Sequence, residues 1–203
     1  MKQYTDEQLF DLYRRGEDSA LRTLIERYED DLSRFLYRLI GDRTAAEDVF
    51  QEAFLQVHQS ADTFDSTRRF RPWLFTIAAN KGRDYLRRKG RKPTLDLSAP
   101  VGGAGSDGDG SGGPTFVDLM EVDVPAPDSG LGVEERDKLV QRALSDMSPT
   151  LREILLLSYF QRLSYVQIAE DLKIPLGTVK SRLHAAVAAF AKRWKALNQD
   201  ESD

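Results

Sequence analysis

The sequence predicts an all-α chain of two small helical domains joined by a flexible linker. Three observations carry this. Apolar residues recur at helical spacing through both ends of the 203-residue chain. Neither end has the period-2 alternation of a strand. Between the ends, SAPVGGAGSDGDGSGGPTFVDLMEVDVPAPDSGLG (residues 98–132) holds nine of the chain's 14 glycines, several prolines and acids, and few core-forming residues. Such a stretch buries too little apolar surface to offset its ordering entropy. The expected divisions are residues 1–92 as the first domain, 93–133 as the linker and 134–203 as the second domain. One short apolar island, Thr115 to Val122, interrupts the linker.

Charge follows the same divisions. Net charge is -4, yet residues 1–92 carry 18 Lys/Arg against 16 Asp/Glu, and residues 136–203 carry 11 against eight. The nine acids between them, in residues 93–135, have no basic neighbour. Both ends are therefore mildly basic, and partners must be judged segment by segment. There is no Cys, which excludes disulfides and thiolate metal sites. The N-terminus, MKQYTDEQLFDLYRRGED, turns charged at once, and no run approaches membrane-spanning length. The expectation is a soluble, cytoplasmic protein.

In the first domain, Thr5-x-x-Gln8 and Thr44-x-x-Glu47 have capping-box spacing and mark two helix starts. Leu21, Leu24, Ile25, Tyr28, Leu32, Phe35, Leu36 and Leu39 form a helical stripe. In TAAEDVFQEAFLQVHQS, the residues Ala46, Phe50, Ala53, Phe54 and Val57 face inward. Asp48, Gln51, Glu52 and Leu55 face outward, an acidic surface with one apolar member. That composition suits a basic protein partner, although a solvated face with a stray leucine has the same pattern. Pro72 suits the first turn of a further helix through WLFTIAANKGRDYLRRK. From Arg68 to Lys92 there are ten basic residues and one acid. Trp73, Thr76, Asn80, Arg83 and Arg87 share one face of that helix. An aromatic, two hydrogen-bonding groups and two guanidiniums suit unpaired bases and their phosphates. A basic helix with Trp73 in the core is the other reading.

In the second domain, Ser148-Pro149 opens a helix at TLREILLLSYF. LSYVQIAEDLKIPLGTVKSRLH then reads as two helices around a turn, with Ser164 as N-cap and Pro175 and Gly177 at the turn and the second start. Leu176, Val179, Leu183, Ala186, Val187, Phe190 and Trp194 make one apolar stripe. Gly177, Thr178, Lys180, Ser181 and His184 lie away from it, with Arg182 at its edge. A recognition helix needs such a stripe for rigidity and short polar or cationic residues near its N-terminus. Ser164, Gln167, Ala169, Val179 and Leu183 would support it. A plain helical hairpin has the same periodicity.

The wording of these segments is more specific than their pattern. LSYVQIAEDLKIPLGTVKSRLH resembles the minus-thirty-five-reading region of bacterial sigma factors of the extracytoplasmic-function (ECF) type, in the sigma-70 family. AAEDVFQEAF resembles that family's core-binding helix, and FRPWLFTIAANKGRDYLRR resembles its minus-ten region. The resemblance covers about residues 5–92 and 134–197. It implies a transcription initiation factor whose partners are RNA polymerase core, through the clamp helices of the largest subunit, and promoter DNA, double-stranded and melted. It also admits an anti-sigma factor. It assigns Asp48, Gln51, Glu52 and Leu55 to core binding. Arg68, Arg69, Arg71, Trp73, Thr76, Asn80, Lys81, Arg83, Arg87 and Arg88 fall to the minus-ten DNA, with the loop Asp62 to Arg71 holding an unstacked base. Gly177, Thr178, Lys180, Ser181, Arg182 and His184 fall to the minus-thirty-five DNA.

The chain departs from the family's pattern in its long acidic linker and in Ala185, Ala186 and Val187, which stand where arginines often continue the recognition helix. Catalytic residues, metal ligands and cofactors are not expected. His58 and His184 are the only histidines, and the glycine-rich run has no strand before it or helix after it. A helix-turn-helix regulator that does not melt DNA, or an adaptor protein, are the alternatives.

Overall fold

The computed structural model describes residues 3–65, 68–90, 133–161 and 163–200. The linker and its apolar island at Thr115 to Val122 lie outside the described residues. The described residues form eight α-helices and one 3-10 turn: α1 (Asp6–Arg14), α2 (Asp18–Ile40), α3 (Arg43–Gln59), the turn Ala61–Thr63, α4 (Phe70–Lys89), α5 (Val133–Ser145), α6 (Pro149–Gln161), α7 (Tyr165–Leu172) and α8 (Leu176–Asp200). Among them there is no strand, as the missing period-2 pattern predicts.

Helix α2 is the spine of the first half. Ala20, Leu24, Tyr28, Leu32, Phe35, Leu36, Leu39 and Ile40 are buried at spacings of three and four, and α1, α3 and α4 pack around them. Gly41 then ends the helix in the left-handed conformation (φ 81°), donating to Tyr37 O. The Asp6 carboxylate ties α1 to α2 by accepting from both Arg27 and the Tyr28 hydroxyl. Burial, then the hydrogen bond to Asp6, pushes the Tyr28 hydroxyl pKa far up, so it remains a donor.

Caps set the remaining entries. Thr5 and Gln8 complete the predicted capping box on α1. The box expected at Thr44 is not the one used: α3 begins two residues earlier, with Asp42 as N-cap accepting from Ala45 N at 3.0 Å. Both readings satisfy a first-turn amide, and aspartate is at least as good a cap as threonine. For α4, Arg69 supplies no side-chain cap. Glu7 of α1 does so instead, accepting from Phe70 N at 3.1 Å. No local motif could have revealed a cap that arrives from 63 residues away.

Small residues let α4 lie close to α2. Ala78, Ala79 and Gly82 are buried, and a Cβ at Gly82 would stand 2.7 Å from Leu39 Cδ2. Leu39 is itself 1% exposed, so it has little room to yield. We expect Gly82→Val to destabilise the protein by about 2–3 kcal/mol through overpacking, lowering Tm by roughly 5–10 °C in a thermal melt. An unchanged Tm would refute the close crossing of α2 and α4.

Candidate nucleic-acid interface and partner surface

The acidic face of α3 follows from its caps and its stripe. Ala45, Ala46, Val49, Ala53, Phe54 and Val57 are buried against the spine, and this turns Asp48, Gln51 and Leu55 outward. Leu55 is 55% exposed, among the most exposed large apolar residues of the described chain. Glu52 is half-buried and lies 3.9 Å from Arg88 of α4. A groove of about 720 Å³ runs beside this face between α2 and α3, lined by Tyr37, Phe50 and Gln51 among others. Sequence reasoning missed Tyr37, an exposed tyrosine on the outer side of α2. The signal available was an aromatic three residues after Arg34 and beside Arg38, off the apolar stripe.

The basic helix α4 divides its candidate residues between structure and surface. Trp73 is half-buried in a cluster of rings, with centroids 4.6 Å from Phe64, 5.4 Å from Phe10 and 5.9 Å from Phe70. It therefore stands between its two sequence readings, anchored by one edge to the core. Arg71 also anchors: its guanidinium lies over the rings of Phe75 (5.1 Å) and Tyr28 (5.6 Å) and 3.1 Å from the Asp31 carboxylate. Arg68, Arg69, Asn80, Arg87 and Arg88 are exposed, and Lys81 is half-buried. Asn80 accepts from Arg83 at 3.1 Å, and Arg87 pairs with Asp84 at 3.1 Å. Of the loop from Asp62 to Arg71, residues 66 and 67 lie outside the described residues.

In the second half, α6, α7 and α8 build the helix-turn-helix. Ser164 and Gln167 form a complete capping box at the start of α7. Ile168, Val179 and Leu183 are buried between the helices, with Ala169 packed against them. The turn is made by Lys173, whose backbone is left-handed (φ 53°), with its N–H bonded to Glu170 O. Gly177, by contrast, carries no positive φ and has open space around it. A lysine in this region costs about 1–2 kcal/mol and gives no composition signal, so glycine drew the attention that the turn itself did not deserve.

This packing leaves Gly177, Lys180, Ser181 and His184 exposed, with Thr178 and Arg182 half-buried. Leu176, placed in the apolar stripe by its spacing, is 40% exposed, because it opens the helix ahead of the crossing with α7. Ala186 and Val187 are buried and only Ala185 of the three faces solvent. The departure from an arginine-rich continuation therefore reduces to one outward position.

The two halves share one apolar cluster and also meet through polar groups. Arg83 of α4 reaches Glu153 of α6 with both Nε (3.0 Å) and Nη2 (2.5 Å). The Thr76 hydroxyl donates to Asp171 of α7 at 2.8 Å. Arg152 of α6, 6% exposed, donates to Leu39 O at the end of α2 (2.7 Å) and to Ser145 O and Met147 O at the end of α5. Glu153 is 4% exposed. Burial pushes its carboxyl pKa up, against the opposing pull of Arg83 and, more weakly, Arg182. Asp171 is raised by burial likewise, against Thr76 and Arg68. Sequence reasoning missed Arg152, Glu153 and Asp171, since a lone Arg-Glu pair before ILLL reads as one turn of solvent face. Among the described residues no group of His, Asp and Glu could hold a metal ion, and no helix is long and apolar enough to cross a membrane.

Comparison with known proteins assigns both halves. Residues 24–92 match the model for Sigma-70 region 2, and residues 137–190 that for Sigma-70, region 4. The ECF RNA polymerase sigma factor SigW of Bacillus subtilis is 32% identical over 91% of this chain and 94% of its own. The ECF RNA polymerase sigma-E factor of Escherichia coli K12 is 30% identical over 97% of each. In fold, the chain is similar to CnrH, solved with the cytosolic domain of CnrY (TM-score 0.64, 21% identity, 94% and 97% covered), and to the sigma factor RpoE of Bartonella quintana, solved with the anti-sigma factor NepR (TM-score 0.59, 22% identity, 86% and 96% covered). Two family regions in the right order, with relatives matched from end to end, establish that this chain belongs to the sigma-70 family and to its ECF sigma factors.

Proposed function

We propose that the chain is a promoter-specific initiation factor in which α3 docks on RNA polymerase core, α4 with its preceding loop captures melted minus-ten DNA, and α8 reads the minus-thirty-five element. The observation that carries this is the pairing of the outward acidic face of α3 with a basic α4 beside it on one spine. One small domain thereby presents a protein-binding surface and a single-strand surface on adjacent helices. Each DNA-reading surface is small, and phosphate contacts of this number bind weakly and with strong salt dependence. Held at a fixed separation by core, the two surfaces bind as one bidentate ligand through effective concentration. The polymerase supplies the chemistry, so the factor needs only binding groups.

On α4, the exposed Asn80, Arg83, Arg87 and Arg88 are the groups that would meet base edges and phosphates. Trp73 and Arg71 would shape the pocket by being fixed in the ring cluster, since a captured base needs a rigid wall. On α8, Lys180, Ser181 and His184 would face the major groove, with Thr178 and Gly177 where the backbone approaches phosphate. The NepR complex of the Bartonella quintana factor supports an anti-sigma factor as a further partner.

In vitro transcription with purified core on a library of genomic fragments tests the function: promoter-specific starts are expected, and their complete absence on every fragment would overturn it. Asp48→Arg should reduce co-purification with core at least tenfold while leaving helicity unchanged, because it reverses charge at the centre of the docking face. Core binding at normal strength would remove α3 from that role. For the recognition helix, Lys180→Ala should weaken binding of the holoenzyme to a promoter fragment and lower the salt slope of log K by about 1. Ala185→Arg should raise that slope by about the same amount, by restoring a phosphate contact at the one outward position. Two unchanged slopes would place the DNA on another face.

A further inference from the structure

The groove between α2 and α3 can hold a chain segment, and its two ends differ in charge. Its floor is apolar: Tyr37 is 40% exposed there, Phe50 is half-buried and Ala46 closes the base. Arg34 and Arg43 stand toward the end where α2 gives way to α3, while Glu29 and Asp30 stand at the other. Arg43 lies 3.6 Å from Glu47, but both side chains are largely exposed, and such a pair holds little. Arg34 pairs with no carboxylate among the described residues. Positive charge is therefore left over at the end nearest Tyr37.

The linker leaves and returns at this same corner. Helix α4 finishes beside the start of α3, with Lys89 Nζ 3.9 Å from the Asp42 carboxylate. Helix α5 runs past the end of α2, where Asp137 lies 3.4 Å from Arg38 and Gln141 donates to Tyr37 O at 3.4 Å. Between these two anchors, residues 115–122 are the run densest in large apolar side chains, and Phe116 is the only aromatic between Gly90 and Val133. Phe116, Leu119 and Met120 stand at i, i+3 and i+4, the spacing by which a helix lays an apolar face in a groove, and Asp118 and Glu121 fall away from that face. Eight residues in a helix cover about 12 Å, about the rise from Glu29 to Tyr37 along α2. Ten residues separate Val122 from Val133, and extended they span roughly 33 Å, so the tether reaches the whole groove.

We propose that residues 115–122 dock in this groove of their own chain, with Phe116, Leu119 and Met120 on the floor made by Tyr37 and Phe50, and with Asp118 and Glu121 toward Arg34 and Arg43. Two features select this occupant. The chain between Lys92 and Arg136 is acidic and has no cation, so charge steers it to the end of the groove beside which it is tethered. The tether also holds the segment near the groove at a high effective concentration, so a contact of few side chains suffices. Gln51 lines both the groove and the outward face of α3, so the docked segment becomes part of the surface that α3 presents.

The absence of cysteine allows a direct test on the full chain. Ser33 lines the groove, and Arg14 is exposed at the end of α1, away from it. A chain carrying Ser33→Cys and Val117→Cys is treated with a short bismaleimide, and closure within one chain is followed by mass spectrometry. The same pair is then placed in a chain with Phe116→Ser and Leu119→Ser, which keeps the tether and removes the apolar face. The first chain should close faster by roughly tenfold or more. A pair at Arg14→Cys and Val117→Cys should close at one rate whether or not the apolar face is present. Arg34→Glu should slow the groove pair by roughly threefold or more, and adding Asp118→Arg should restore it. Circular dichroism checks that every variant keeps its helices. Equal closure of the groove pair with and without the apolar face would overturn the docking. So would an equal gain at the Arg14 pair, since the segment would then be clinging to the surface at large. Arg34→Glu without effect, or without rescue by Asp118→Arg, would overturn the charged contact that orients the segment. Cross-linked dimers as the main product would give the groove to a second copy of the chain and overturn the intramolecular assignment.

Discussion

A buried carboxylate governs how the two halves of this molecule sit. Glu153 lies in the wall formed by Ile154, Leu155, Leu156 and Leu157, and a charge taken out of water there costs several kcal/mol unless it is met by a cation and hydrogen bonds. Arg83, from the other half of the chain, meets it with two bonds. The buried apolar residues of the two halves join in one cluster, and the Arg83 pair adds a directional contact between α4 and α6 within it. The pair is specific rather than strongly stabilising, because the desolvation of both ions offsets much of their attraction. Such a contact sets one register for the junction.

The same helix, α4, is constrained from its other side. Gly82, Ala78 and Ala79 press it onto the spine, while its outward groups face the second half or solvent. Its N-terminus is held by Glu7, and its first turn by Arg71 and the rings around Trp73. For the base capture proposed for α4 this rigidity is an advantage, since the cost of ordering its side chains is met on folding and not again on binding. These anchoring contacts come from Glu7 and Phe10 of α1, from Phe64 after the 3-10 turn and from the rings of α4 itself.

Much of this was legible in the sequence, and the reasons differ by element. The stripe on α2, the capping box at Thr5, the N-cap at Ser164 and the proline at the start of α6 are local signals that the structure keeps. The outward set Asp48, Gln51 and Leu55 follows from a 3.6-residue period once the inward set is placed. What the sequence hid was long-range or conformational. Glu7 capping α4, Arg152 joining two helix ends and Glu153 meeting Arg83 depend on which segments meet in space. Lys173 in the left-handed region has no compositional mark at all. At Thr44 two adequate caps competed within three residues, and the pattern favoured the one with a glutamate at the right spacing over the aspartate that the chain uses.

The division between what was visible and what was hidden has a physical basis in how a sigma factor must work. Surfaces that meet core and promoter are exposed, and exposed faces are written in the sequence as polar residues at helical spacing. Contacts between the two halves are made by those same polar faces, so they add no new residue types to the pattern; Arg83 reads as a surface cation in the sequence, and its partner Glu153 is set by the fold.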